Sequence, residues 1–186
     1  MLKLLSKTIL KLTGWKLKVT SPKEKKFILI GAPHTSNWDF PLALLTFWTL
    51  DFNIHWVAKI QMFRGPLHYL FTALGGIPVD RNASHGFIQQ ITDRFDASDQ
   101  MVLTIAPEGT RSKTEYWKSG FYHIAQAAKV PICLGYIDYS TKTLGFHQLV
   151  HPGGDIKADM KVIADFYKTI KGKHPQLQGP VKIRKV

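Results

Sequence analysis

The sequence has a single cysteine, no apolar run long enough to cross a bilayer, and few acidic residues. Cys133 lies in an apolar run, which excludes a disulfide framework or a thiolate zinc site within one chain. We expect it to be a buried, inert thiol in a reducing compartment. No run approaches the roughly 18 apolar residues of a spanning helix, and no small-residue cleavage site follows the N-terminal apolar residues. We therefore expect a protein that is neither exported nor threaded through a membrane.

The shortage of acidic residues leaves a strongly basic chain. There are 13 Asp and Glu against 25 Lys and Arg, so the formal net charge is +12. Such an excess indicates a polyanionic partner, either nucleic acid or an anionic membrane, and composition does not choose between them. The length of 186 residues and the apolar fraction of 45% predict one domain with its own core, without disulfides or a structural metal.

Residues 1–12 have the pattern of a helix that lies in a membrane surface, and they begin a basic surface segment over residues 1–20. Apolar side chains share one helical face, lysines lie nearly opposite, and an aromatic residue follows where an interfacial anchor would sit. The predicted membrane-binding residues are Leu2, Lys3, Leu5, Lys7, Ile9, Lys11 and Trp15. The alternative is a helix packed on its own domain, with the lysines on its solvated face. We expect peripheral, monotopic attachment to an anionic membrane, on its cytoplasmic face.

Strand and helix patterns alternate through the middle of the chain. Strand-like apolar runs occupy residues 27–30, 54–58, 101–105 and 131–139, and helical patterns occupy 38–50, 61–74, 84–95 and 119–129. This alternation predicts a single α/β domain over residues 21–186, with a largely parallel central sheet flanked by helices. A loop at 151–154, a helix over 159–171 and a basic tail complete the prediction.

The polar stretch that follows the first strand contains a candidate base and its orienting carboxylate. A carboxylate bonded to one ring nitrogen of His34 leaves the other free to accept a proton. Pro41 is tolerated only in a first helical turn, so we expect the next helix to begin near Ser36 or Asn37. On a continuous helix, residues five apart lie about 140° apart around the axis. His34 can therefore meet Asp39 only from the turn before the helix, with Asp39 in its first turn.

Two arginines also follow strand-like runs. Arg81 comes after residues 77–79, and Arg111 lies in a Pro-Glu-Gly-Thr-Arg-Ser stretch after residues 101–105. Arginine presents a fork that matches phosphate oxygens, and Gly109 allows close approach of a ligand to the backbone. Each arginine alone could equally form a surface ion pair. If the strands are parallel neighbours, His34 and both arginines face one crevice.

These separated motifs together resemble the glycerolipid acyltransferase family, whose best-known members are the lysophosphatidic acid acyltransferases. The resemblance covers residues 27–139. Residues 34–39 match the family's HX4D catalytic block, 76–81 the block ending in a phosphate-binding Arg, 107–112 the acceptor-binding Pro-Glu-Gly-Thr-Arg block, and 130–132 the fourth block. Two positions depart from the pattern: Ala106 replaces the usual aromatic residue, and Gly135 lies near the place of a missing second proline.

The resemblance implies an enzyme of phospholipid biosynthesis and lipid metabolism. An acyl thioester of coenzyme A or acyl carrier protein would be the co-substrate, a lysophospholipid the acceptor, and no cofactor would be required. His34 would be the general base and Asp39 the group that holds its tautomer. Arg81 and Arg111 would bind the acceptor phosphate, while Glu108, Gly109 and Thr110 belong to the acceptor-binding block. The remaining histidines lack metal-ligand spacing with a carboxylate partner, so we predict no metal.

The sequence also suggests three alternatives to a lysophospholipid acyltransferase. The acceptor could be a lyso-aminolipid or another hydroxylated amphiphile, because a carboxylate also suits the arginine fork. Ser36 invites a hydrolase triad, which we discount because no nucleophile elbow surrounds it; Ser36 more naturally caps the following helix. A basic nucleic-acid-binding module is the alternative from another class, but no helix-turn-helix, zinc or ribonucleoprotein signature supports it. No nucleic-acid partner is therefore expected.

Overall fold

The computed structural model describes residues 1–79 and 86–184. Arg81, one of the two predicted phosphate-binding residues, lies outside the described residues. The helices are α1 (Leu2–Leu12), α2 (Asp39–Leu50), α3 (Leu67–Ala73), α4 (Phe87–Asp96), α5 (Gly120–Ala127) and α6 (Ile156–Tyr167). The strands are β1 (Lys16–Val19), β2 (Lys26–Gly31), β3 (Ile54–Lys59), β4 (Gly76–Val79), β5 (Met101–Ile105), β6 (Ile132–Asp138) and β7 (Thr143–Val150). Short 3₁₀ turns occupy Ile60–Phe63 and Pro175–Leu177.

The strands form one seven-stranded sheet in the order β1-β7-β6-β2-β5-β3-β4. The β6–β7 pair is antiparallel, and the other pairings are parallel. Strand β2 lies between β5 and β6, with Ile30 opposite Ile105 and Gly31 opposite Gly135. The prediction of a single α/β domain with a largely parallel sheet is confirmed. The carboxyl ends of β2, β5 and β6 meet at one edge, where a site is expected in such folds.

Two cores cover the two faces of the sheet, because successive strand residues point to opposite sides. Phe27 and Leu29 of β2 belong to a buried cluster with Phe47 of α2. Ile28 and Ile30 belong to the larger cluster, which includes residues of α4, α5 and α6. Helix α2 therefore lies over the side of β2 opposite α4, α5 and α6.

Helix α1 packs against α2 through its less apolar side. Ser6 and Leu10 are its buried residues, and Leu10 clusters with Leu42 of α2 and Leu144 of β7. The leucines of the face predicted to meet a membrane stay exposed, with Leu2 at 53%, Leu5 at 54% and Leu12 at 81%. Within residues 1–79 and 86–184, no helix combines the length and apolar character that crossing a bilayer requires.

Several elements differ from the sequence-based expectation. Residues 16–19, predicted as part of the surface segment, form β1 and pair in parallel with β7. Residues 143–150, for which no strand was predicted, form β7 and return antiparallel to β6. The last helix begins at Ile156 instead of 159, because the Asp155 side chain accepts hydrogen bonds from the main-chain N–H groups of Lys157 and Ala158 and so caps it.

Candidate active site

The candidate base lies at the carboxyl end of the central strand β2. His34 occupies the loop between β2 and α2, and Asp39 is the first residue of α2. The His34 Nδ1 atom lies 2.9 Å from Asp39 Oδ2. This is the arrangement that the spacing requires, with the histidine before the helix and the carboxylate in its first turn. When Nδ1 carries the proton and donates it to Asp39, Nε2 presents a lone pair to a substrate.

The Asp39 carboxylate is buried and accepts hydrogen bonds from several directions. The main-chain N–H groups of Thr35 and Ser36 each donate to Oδ2 at 3.0 Å, and the Tyr139 hydroxyl donates to Oδ1 at 2.8 Å. Burial alone would raise the pKa of Asp39, but the hydrogen bonds, led by those from His34 and Tyr139, hold that pKa below its ordinary value. Asp39 is thus a charged, oriented partner for an imidazolium.

A second carboxylate holds the main chain of the base. The His34 N–H donates to Glu108 Oε1 at 3.0 Å, across the boundary between β2 and β5. Glu108 is 8% exposed, and this burial raises the pKa of its carboxyl group despite the bond from His34. Glu108 therefore fixes the position of His34. The sequence alone does not show this contact, because the two residues are 74 positions apart.

The last three residues of the Pro-Glu-Gly-Thr-Arg block lie in an exposed turn. Gly109 has a φ of 65°, in the left-handed region that favours glycine, and this bend separates buried Glu108 from its successors. Thr110 and Arg111 are exposed, and the Thr110 hydroxyl accepts from the Ser112 N–H at 3.2 Å. The structure thus brings together His34, Asp39 and Glu108, and leaves Thr110 and Arg111 accessible to a ligand.

An apolar cavity of about 270 Å³ begins beside His34 and Asp39 and continues between α2 and the sheet. Its walls include Leu29, Phe47, Trp56, Val57, Ile137 and Phe146. Ala106 and Gly135, the two departures from the family pattern, also line it. A chain of methylene groups would fit this surface, and a charged group would not.

Ser36 does not form a catalytic triad with His34 and Asp39, the pair called the dyad from here on. Its side chain accepts a hydrogen bond from the Trp38 N–H at 3.2 Å, and its main-chain N–H donates to Asp39. It therefore shapes the turn before α2, two residues ahead of the N-cap, which is Trp38 and not Ser36 as the sequence suggested. In the part of the chain that the structure describes, no three His, Cys, Asp or Glu side chains cluster as a metal site.

Tyr139 is the residue at the site that sequence reasoning missed. It follows β6 directly, so it emerges at the same edge of the sheet as the loop after β2. A signal was available, because a polar residue at the end of a strand that neighbours β2 is a candidate for the same crevice. That β6 neighbours β2 is a fact of topology, and the sequence alone does not show it.

Comparisons with known proteins show the family and the fold of this chain. A family model described as Acyltransferase matches residues 16–134. The fold is similar to the crystal structure of the 1-acyl-sn-glycerophosphate (LPA) acyltransferase PlsC from Thermotoga maritima, with a TM-score of 0.63, 18% identity, and coverage of 92% of this chain and 79% of that chain. At that identity, the similarity shows the fold. A search of curated protein sequences finds no match.

Proposed function

Because this chain belongs to the acyltransferase family, whose model matches residues 16–134, we propose that it moves a fatty acyl chain from an acyl thioester to the hydroxyl of a lysophospholipid such as 1-acylglycerol-3-phosphate. One observation carries the proposal: a histidine held 2.9 Å from a buried carboxylate at the mouth of an apolar cavity. The dyad supplies a base for an alcohol, and the cavity supplies a surface for an acyl chain.

The proposed reaction needs no covalent intermediate with the protein. Nε2 of His34 accepts the proton of the acceptor hydroxyl as its oxygen bonds to the thioester carbonyl carbon. The tetrahedral species then collapses, the C–S bond breaks, and the imidazolium returns the proton to the departing thiolate. The Asp39 carboxylate stabilises the imidazolium in between and fixes which ring nitrogen carries the first proton. No cofactor or metal is required, because the thioester is already activated.

The acceptor phosphate would lie on the side of the exposed turn after β5. Arg111 offers two parallel N–H donors to phosphate oxygens, and Gly109 and Thr110 flank the approach to the dyad. Arg81 is proposed as the second phosphate ligand on the strength of its motif alone. Glu108 would contribute indirectly, because its carboxylate holds the main chain of His34.

The substrates of this reaction are amphiphiles, and α1 provides a surface to reach them. Its exposed leucines lie beside a row of exposed lysines, Lys3, Lys7 and Lys11. Such a face binds the headgroup region of an anionic leaflet through both apolar burial and charge. We infer peripheral attachment at the cytoplasmic face, where acyl carrier protein and coenzyme A thioesters, both acidic, would also be attracted to the basic surface.

A panel of acceptors and donors tests this function. The purified protein is incubated with anionic vesicles, an acyl thioester of coenzyme A or carrier protein, and one acceptor at a time: 1-acylglycerol-3-phosphate, its dephosphorylated form, or a lyso-aminolipid. Mass spectrometry identifies the products, with and without EDTA. We expect ester formation on the phosphorylated acceptor that EDTA does not reduce. Equal transfer to the dephosphorylated form would overturn the phosphate assignment, and hydrolysis without transfer would overturn the function.

A further inference from the structure

We propose that Tyr139 is a positioning residue for the His34–Asp39 dyad, in a role that no motif of the chain assigns. The proposal rests on the dyad being the catalytic base of the proposed function. Its basis is the 2.8 Å hydrogen bond from the Tyr139 hydroxyl to Asp39 Oδ1, which joins residues 100 positions apart in the sequence. Tyr139 also lies beyond the last residue that the family model matches, which is 134.

The two oxygens of Asp39 are held by different parts of the chain. Oδ2 accepts from the His34 ring and from the main-chain N–H groups of Thr35 and Ser36, all within the same loop. Oδ1 accepts from Tyr139. The local loop alone would fix one oxygen and leave the carboxylate free to rotate about it. The second attachment fixes the plane of the carboxylate, and the direction of its bond to His34 with it.

Tyr139 is itself held from two sides. Its main-chain N–H donates to the Lys171 carbonyl oxygen at 2.8 Å, beyond the end of α6. Its ring meets the ring of Trp15 edge to face, with centroids 5.1 Å apart and an angle of 87°. Trp15, predicted from sequence as a membrane anchor, is half-buried at this contact. A residue held in this way has one orientation to offer Asp39, which is what positioning requires.

The hydroxyl remains a donor under all working conditions. Burial, followed by the hydrogen bond to Asp39, raises the pKa of Tyr139 well above its ordinary value. Tyr139 does not line the apolar cavity, so it acts through Asp39 and not through the acyl chain. Glu108 is a further ionisable group close to the dyad, and its charge interacts with both His34 and Asp39.

Removing the hydroxyl should loosen the dyad. The Asp39 carboxylate gains freedom to rotate, so its bond to His34 Nδ1 is less well held and fewer molecules keep Nε2 in the reactive direction. Because Tyr139 does not line the apolar cavity, this lowers kcat without changing KM.

Tyr139→Phe tests the proposal, and Tyr122→Phe is its matched control. The Tyr122 hydroxyl also donates to a carboxylate, Asp159 Oδ2, at 2.7 Å, but on the α5–α6 side of the sheet. For Tyr139→Phe we expect kcat to fall by about tenfold or more and KM to stay within about twofold. Tyr122→Phe should leave both kcat and KM unchanged.

A second readout separates this proposal from the choice of substrate. The proton resonance of the His34 Nδ1–H group that donates to Asp39, followed by NMR in both variants, needs no acyl donor or acceptor. Loss of the second attachment of the carboxylate should move or broaden this resonance in Tyr139→Phe and leave it in place in Tyr122→Phe. A resonance and a kcat that are both unchanged in Tyr139→Phe would overturn the positioning role. A changed resonance in a protein that transfers no acyl group would support Tyr139 while overturning the proposed function.

Discussion

At the scale of single residues, the Asp39 carboxylate links the site to the stability of the fold. Its pKa is held below the ordinary value of 3.8 by hydrogen bonds that exist only in the folded chain. A carboxyl group with a depressed folded pKa stabilises the fold above its unfolded pKa, and this contribution is lost as the pH falls through the folded value. The window in which stability is lost therefore lies below about pH 4.

We predict that Asp39→Asn lowers the free energy of unfolding by about 1.5–3 kcal/mol at neutral pH, as expected for hydrogen bonds to a charged group. The difference from the wild type should shrink as the pH falls below 3.8, because the unfolded chain then binds a proton that the folded carboxylate resists. Urea unfolding at a series of pH values measures it. A difference that stays constant with pH would contradict the assignment.

Glu108 offers a different residue-level prediction. Because its carboxyl group accepts from the His34 N–H, a glutamine amide oxygen can replace it. We expect Glu108→Gln to keep kcat within about fivefold, and Glu108→Ala to lose about tenfold or more, since no acceptor remains for the buried N–H. If Glu108→Gln were as impaired as Glu108→Ala, the charge of Glu108 would act on the substrate instead.

Glu108→Gln should also change how the free energy of unfolding depends on pH. Burial raises the folded pKa of Glu108 above 4.5, so the wild type loses stability as the pH rises from the unfolded toward the folded value. Glu108→Gln carries no such penalty. Its unfolding free energy relative to the wild type should therefore increase as the pH is raised above 4.5, and a relative decrease would contradict the burial argument.

Some residues of the site could be predicted from sequence, and others could not. The pairing of His34 with Asp39 could be predicted because the two residues are five positions apart, and the start of a helix between them fixes their geometry locally. The contact of Glu108 with the His34 main chain and that of Tyr139 with Asp39 depend on which strands are neighbours. The roles of Arg111, Gly109 and Thr110 in binding stay predictions, and Arg81 lies outside the described residues.

At the scale of elements, α1 displays two surfaces of different kinds. Ser6 and Leu10 face the protein, whereas Leu2, Leu5 and Leu12 are exposed. We predict that replacing these three leucines with glutamine, a good helix former, strongly reduces sedimentation with anionic vesicles while leaving the melting temperature unchanged, because their apolar area is already outside the core. Thr8→Gln, at an exposed position of the same helix, should leave sedimentation unchanged.

The apolar cavity under α2 predicts a dependence on acyl chain length. Ala106 lines it directly after β5, so a larger side chain would occupy space that we assign to the acyl chain. Ala106→Phe should lower kcat/KM for long-chain relative to short-chain donors by about tenfold or more. Ala127→Phe, at an exposed position of α5, is the control. An unchanged preference in a folded Ala106→Phe variant would place the acyl chain elsewhere.

The elements themselves were predictable where pattern and length agreed. Strand β5 was predicted with the bounds it has in the structure, because a continuous apolar run without turn residues favours one state. Strand β1 was missed because its alternating Lys-Leu-Lys-Val pattern also fits a basic surface segment, and its pairing with β7 decides between the two. Strand β7 was missed because it contains glycine, histidine and glutamine among its apolar residues.

At the scale of the whole molecule, the fold places the parts of an acyltransferase on one side of the sheet. Helices α1 and α2 pack against each other, the cavity lies under α2, and the dyad lies at the edge where β2 ends. A lipid acceptor reached through α1 would thus lie on the same side as the base. The anionic membrane and acidic donors of the proposed function would match the net charge of +12.

The most direct test of this account is the rate of acyl transfer from a thioester to 1-acylglycerol-3-phosphate on anionic vesicles by His34→Ala, compared with His151→Ala. His151 is exposed in the loop after β7, so its replacement controls for the loss of an imidazole. We predict that His34→Ala loses about 10²–10⁴-fold in rate while the protein stays folded, as a cooperative melting transition shows, and that His151→Ala keeps the wild-type rate. Retention of most of the activity by a folded His34→Ala would contradict the assignment of His34 as the base.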